Sequence, residues 1–163
     1  MKRITIGGKE YTFKFSVAAS LYNECTETIL NSFATGGRIE ASAKAKDIES
    51  TIGGIVSTMA NIPTKAITLF YAGLLEYHSD EIRSISDATR LIGVYLEESK
   101  DEEGNWKKSF SDVFAEMTEI MGDDNFFGLI GLDKMMAQMT ESENKPKRTR
   151  RKKSEVGEST LTD

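Results

Sequence analysis

Apolar positions recur along this chain first with a period of two and then with a helical period. Residues 3–15 alternate: Ile4 and Ile6, then Tyr11, Phe13 and Phe15, with Gly7-Gly8-Lys9-Glu10 between them. Two short β-branched or aromatic runs joined by a four-residue glycine-containing turn predict a β-hairpin. A lone hairpin is marginal in water, so Tyr11, Phe13 and Phe15 are expected to lie against the helices that follow. Ser16 offers an N-cap hydroxyl, and Ala18, Leu21, Tyr22, Cys25 and Ile29 keep helical spacing to about Phe33. Gly36-Gly37-Arg38 breaks that pattern, and the polar, Ala/Lys-rich piece up to Lys46 reads as a surface linker. Ile48, Ile52, Ile55, Val56 and Met59, at offsets of 0, 4, 7, 8 and 11, mark a third segment as helical. Gly53-Gly54 weakens that helix by roughly 1 kcal/mol per glycine relative to alanine. Either another backbone packs close there or the helix bends.

The stretch Ile62–His78 is expected to be the centre of the fold. Pro63 suits a first helical turn and disfavours helix at Ile62, so a helix is predicted to start there and to end at Ser79-Asp80. Ile67, Phe70, Tyr71, Leu74 and His78 share one face, and Leu69, Leu75 and Tyr77 widen it until little of the cylinder is polar. Such a helix has to be surrounded. Ser84 and Asp87 form a capping pattern ahead of Ala88, Leu91, Ile92, Tyr95 and Leu96. Residues 100–105 read as a polar loop. Phe110, Val113, Phe114, Met117, Ile120 and Met121 form the cleanest amphipathic stripe. Beyond Gly122-Asp123-Asp124-Asn125, a narrow seam of Leu129, Leu132, Met136 and Met139 is interrupted by Gly128 and Gly131. The fold class is therefore mainly α: a small N-terminal β-hairpin packed on a bundle of about five or six helices, filling residues 1–140. Residues 141–163, polar and basic, are expected to be a disordered tail.

Composition alters this picture in one respect. The net charge is −5, but seven of the 21 basic and three of the 26 acidic residues lie in 145–163, leaving −9 for the rest. An acidic body with a basic tail is two regions with different jobs. The longest unbroken apolar run, Leu69–Leu75, is seven residues, too short to cross a bilayer. Neither a signal peptide nor a membrane anchor is expected. The single cysteine, Cys25, allows no internal disulfide and no zinc knuckle, and a reducing cytosol suits it.

Candidate chemistry is sparse. Cys25 and His78, the one histidine, make a nucleophilic pair on paper, but both sit on apolar stripes and no third group orients the base. Asp101, Glu102, Glu103, Asp123 and Asp124 lack the spacing of a calcium loop, and the Gly-Gly pairs lack that of a phosphate loop. No catalytic, cofactor-binding or metal-binding residue is assigned, no cofactor is expected, and an enzyme is not expected. Binding is favoured by methionine placement, since Met117, Met121, Met135, Met136 and Met139 are five of the seven. Flexible, polarizable Met side chains suit surfaces that accept irregular partners, and they equally fill the core of an ordinary helix pair. With Phe110, Phe114, Phe126 and Phe127 they form the candidate partner-binding set. The basic tail, with Lys147, Arg148, Arg150, Arg151, Lys152 and Lys153, can hold phosphates or an acidic partner, but no aromatic residue interleaves it for base stacking.

Taken together, the Ile-Gly-Gly-Lys-Glu-Tyr-Thr-Phe-Lys-Phe hairpin (Ile6–Phe15), the Pro63-led helix with Phe70-Tyr71-Ala72-Gly73-Leu74-Leu75, and the Asp87–Glu98 helix resemble the tail assembly chaperones of long-tailed phages and prophages of Gram-positive bacteria. The resemblance covers residues 4–98 and carries no catalytic signature. It implies a small helical protein of the host bacterial cytoplasm, absent from the mature virion. Such a protein binds the tape measure protein, keeps it soluble and helps recruit tail tube subunits. The resemblance also implies ribosomal frameshifting near the end of the shorter reading frame, for which Lys152-Lys153 is a candidate site. Self-association fits a protein that coats its client. The competing reading is a small regulatory or nucleic-acid-binding adaptor acting through the basic tail. The body charge of −9 opposes a phosphate backbone. A third reading is a structural component that stays in the tail.

Overall fold

A computed structural model describes residues 1–143, with side chains up to Gln138. The chain forms β1 (Lys2–Ile6), β2 (Lys9–Phe13), α1 (Val17–Leu21), α2 (Asn23–Lys44), α3 (Ile48–His78), α4 (Ile85–Glu97), α5 (Phe110–Asp123), α6 (Phe126–Leu129) and α7 (Leu132–Glu143). The mainly α class with an N-terminal hairpin is as expected, and seven helices are found among the described residues. The expected basic tail, from residue 144 on, lies outside them.

The hairpin is tighter than a four-residue turn. Gly7 and Gly8 have φ of 60° and 74°, the left-handed pair a two-residue hairpin turn requires, while Lys9 and Glu10 pair with Ile6 and Thr5. Phe13 and Phe15 are buried. Phe13 meets Phe70 edge-on at 4.8 Å, and Phe15 lies 5.6 Å from Phe126. A Cβ on Gly73 would stand 3.0 Å from Phe13 and 3.3 Å from Phe15, so the missing side chain lets the hairpin close onto α3. The backbone of Lys14 donates to Gly73 O at 2.8 Å.

The C-terminal half of α3 is the centre of the core, with Ala66, Leu69, Phe70, Ala72 and Leu74 buried and β2, α1, α2, α4 and α5 packed around it. The capping pattern holds, since Ser84 Oγ accepts from Asp87 N at the start of α4. Ser109 and Asp112 form a full capping box on α5. Glu116 of α5 fastens neighbouring elements, accepting from Lys2 and from Tyr95 Oη, both at 2.8 Å. Burial pushes its carboxyl up, and these hydrogen bonds outweigh that and hold it below the usual carboxylate value.

Three expectations are corrected. The helix predicted from Ser16 to Phe33 divides at Tyr22, whose ψ of 97° leaves the helical region. Its second part, α2, does not stop at Gly36-Gly37, and the expected linker is helix to Lys44. Ala34, Ala41 and Ala43 are strong helix formers, and Glu40 pairs with Lys44 at 2.7 Å. Residues 45–47 then close a tight turn. Lys46 N donates to Ala43 O and Asp47 N to Ser42 O, a Schellman motif with Lys46 left-handed at φ 58°. The third correction concerns Pro63, which starts no helix: α3 is continuous from Ile48, capped by Asp47, with Pro63 inside it.

The result is a two-helix arm. None of residues 30–65 is buried, although α2 and α3 pack along this length. Gly54 answers the question left by Gly53-Gly54: a Cβ there would stand 2.7 Å from Ile39 Cγ1, so close approach of α2 is the reason for that glycine. Ile48, Ile52, Ile55, Val56 and Met59, whose spacing marked this segment as helical, are exposed.

Candidate functional site

Among the described residues, an apolar concavity is lined by side chains of α2, α5 and α7. It is a groove of about 720 Å³. Ile29, Leu30 and Phe33 come from α2, Phe114 from α5, and Met135 and Met136 from α7. Ile29 is buried and supplies the base, whereas Phe33 is 41% exposed, Met135 41% and Met136 43%. Gly36 and Gly37 also line the groove, and a Cβ on either would meet nothing within 4 Å. These glycines lower the α2 wall and leave its backbone open to an incoming surface. Arg38, Glu40 and Thr118 add polar groups to the otherwise apolar lining, and Arg38 and Glu40 are exposed.

The nine residues proposed from the sequence divide. Phe114, Met135 and Met136 line the groove. Phe127 is half-buried and meets Phe33 edge-on at 6.0 Å, which makes it a buttress of the groove wall. Phe110 is half-buried against the core. Met117, Met121 and Phe126 are fully buried. Their assignment to a binding surface is corrected: they belong to the buried core, where the alternative reading of methionine as gap-filler applies. Met139 belongs to α7, and its side chain lies outside the described set. So do Lys147, Arg148, Arg150, Arg151, Lys152 and Lys153. Sequence reasoning missed Leu30, Phe33, Gly36 and Gly37. The available signal was a glycine pair inside an alanine-rich helix, where nothing in the chain needs the flexibility.

The titratable groups read as a nucleophilic pair have other employment. Cys25 is buried, and burial pushes its thiol up to about 12. His78 Nε2 accepts from the backbone N–H of Thr12 at 2.9 Å, and its ring lies 5.1 Å from that of Tyr11. Burial holds its pKa below the ordinary value, with Glu81 acting in the opposite direction. The neutral imidazole thus ties β2 to the end of α3. In the acidic loop, Asp101 Oδ1 accepts from the backbones of Glu103 and Asn105 at 3.0 and 2.8 Å. That loop is closed by Lys100 lying 3.9 Å above the Trp106 ring. Among the described residues no three His, Cys, Asp or Glu side chains converge as a metal site would need. No described helix is long and apolar enough to cross a membrane.

No known protein family, curated protein or solved structure matches the chain.

Proposed function

We propose that this protein is a non-catalytic tail assembly chaperone that holds an amphipathic helix of the tape measure protein in the groove between α2, α5 and α7. The observation that carries the reading is the groove itself, an apolar trough walled by Phe33, Phe114, Met135 and Met136 and lowered on one side by Gly36-Gly37. A helix laid in a groove buries its own apolar face at spacings of three and four residues. Methionine walls adapt to helices of differing sequence, which suits a client with many non-identical amphipathic turns. The resemblance of residues 4–98 supplies the identity of the client and the associated role of recruiting tail tube subunits in the host cytoplasm.

The test is co-expression with a tape measure protein. Changing Gly36 and Gly37 together to Leu fills the groove from within, and it should stabilise α2 by about 1 kcal/mol or more because glycine is a poor helix former. The expected outcome is a better-folded protein that no longer co-purifies with the tape measure protein and leaves it insoluble. Undiminished co-purification by that variant would remove the groove from the account.

A further inference from the structure

The groove leaves the bare face of the arm unexplained. Along α3 the apolar seam runs Ile48, Ile52, Ile55, Met59, Ile62, Ala66, Leu69 and Gly73, in alternating steps of four and three residues. That is a coiled-coil spacing. Its C-terminal half is covered, with Phe13 and Phe15 against Gly73 and with Ala66 and Leu69 wholly buried. Its N-terminal half is the same face continued, yet Ile48 is 72% exposed, Ile52 56% and Met59 68%. Between the two helices lie Thr28 and Thr35 of α2 with Ser57, Thr58 and Asn61 of α3, and Ile39 against Gly54, so the space between them is largely polar while the outer face of α3 is aliphatic.

A continuous apolar face of this length marks an interaction surface, and residues 144–163 offer only Val156 and Leu161 as large aliphatic side chains, too few to match it. Charge narrows the choice. From Ser50 to Thr64 there is no charged residue, although exposed helices normally carry many. A foreign partner selected by charge would find nothing to read here, whereas two identical faces need only the absence of repulsion. The seam is also self-complementary. Turned antiparallel about a two-fold axis between Gly53 and Gly54, it sets Ile52 against Ile55 of a second copy and Ile48 against Met59. With Val56, the five side chains offer on the order of 500 Å² of apolar surface per copy. Pairing then removes on the order of 1,000 Å² from water, the size at which specific, reversible interfaces begin.

We infer that the Ile48–Met59 face of α3 is the contact between two copies of this chain, which join their arms into an antiparallel four-helix bundle.

Sedimentation velocity of the full chain, from about 1 µM to about 1 mM, reads this directly. The expected result is a reversible monomer–dimer equilibrium with a micromolar Kd. The double variant Ile52→Glu/Ile55→Glu should weaken it about 100-fold or more while the circular dichroism spectrum is unchanged, because both side chains already meet solvent in the single chain. Ile52→Cys mixed with Ile55→Cys should form a disulfide between copies faster than Ile52→Cys alone. The buried Cys25 does not compete. A wild-type chain that stays monomeric over the whole range overturns the inference. So does a dimer indifferent to the two glutamates, or loss of tape measure binding in that variant while the wild type remains a monomer, which would assign the face to the client.

Discussion

A Cβ built on Gly54 would stand 2.7 Å from Ile39 Cγ1, whereas one built on Gly53 would meet nothing within 4 Å. Two adjacent glycines in one helix are therefore present for different reasons, and their substitutions should have opposite signs. Gly53→Ala is expected to stabilise the protein by about 0.5–1 kcal/mol through backbone entropy. Gly54→Ala should destabilise it by about 1 kcal/mol or more, since Ile39 must yield near its own backbone. Urea midpoints of the two variants decide the matter. His78 gives a second prediction at this scale. Its folded pKa is depressed by burial, so the unfolded chain takes up a proton near pH 6.5 while the native imidazole stays neutral. Stability is then fully present above that pH and falls as the pH is lowered towards the native pKa. Urea unfolding at pH 7.5 and 5.5 should show this loss, and His78→Asn should remove it. Neither effect was legible in the sequence, because each depends on what stands opposite: Ile39 for one residue and the Thr12 amide for the other.

The arm formed by the end of α2 and the start of α3 behaves as an element without a core. None of residues 30–65 is buried, so its amides should open locally at a small fraction of the global cost. Hydrogen exchange on dilute protein should therefore be orders of magnitude faster across residues 36–60 than across 66–75. Equal protection of the two stretches would contradict the exposed character of the arm. The elements legible in the sequence were those whose signals are local: the alternating hairpin, the Ser16 and Ser84 caps, and the stripes of α4 and α5. The arm was misread because Gly36-Gly37 and Pro63 are local breakers outweighed by their surroundings. Alanines and the Glu40–Lys44 pair carry α2 through its glycines, and α3, packed against α2, runs through its proline. Within the last third, the periodicity of Met117 and Met121 is the same whether the stripe faces a core or a partner. Only the positions of β2 and α3 tell these methionines from Met135 and Met136.

At the scale of the whole molecule, a small core built on the C-terminal half of α3 carries two separate apolar surfaces. The groove uses α2, α5 and α7, which are far apart in sequence, so only single walls of it were legible beforehand. The bare face of α3 lies on the arm. On the proposed reading, the two-fold contact closes at two copies, and the resulting dimer presents two grooves to one long helical client. The basic stretch Lys147–Lys153 lies outside the described residues, and none of this rests on it. Methionine methyl groups report on both surfaces in one spectrum, since Met135 and Met136 line the groove, Met59 lies on the bare face, and Met117 and Met121 sit in the core. The most direct measurement is therefore a methyl-methionine NMR titration of the full chain with a helical segment of the tape measure protein. Shifts at Met135 and Met136, with Met117 and Met121 unmoved and Met59 responding to dilution alone, are the predicted result; Met135 and Met136 unchanged at saturating client would contradict it.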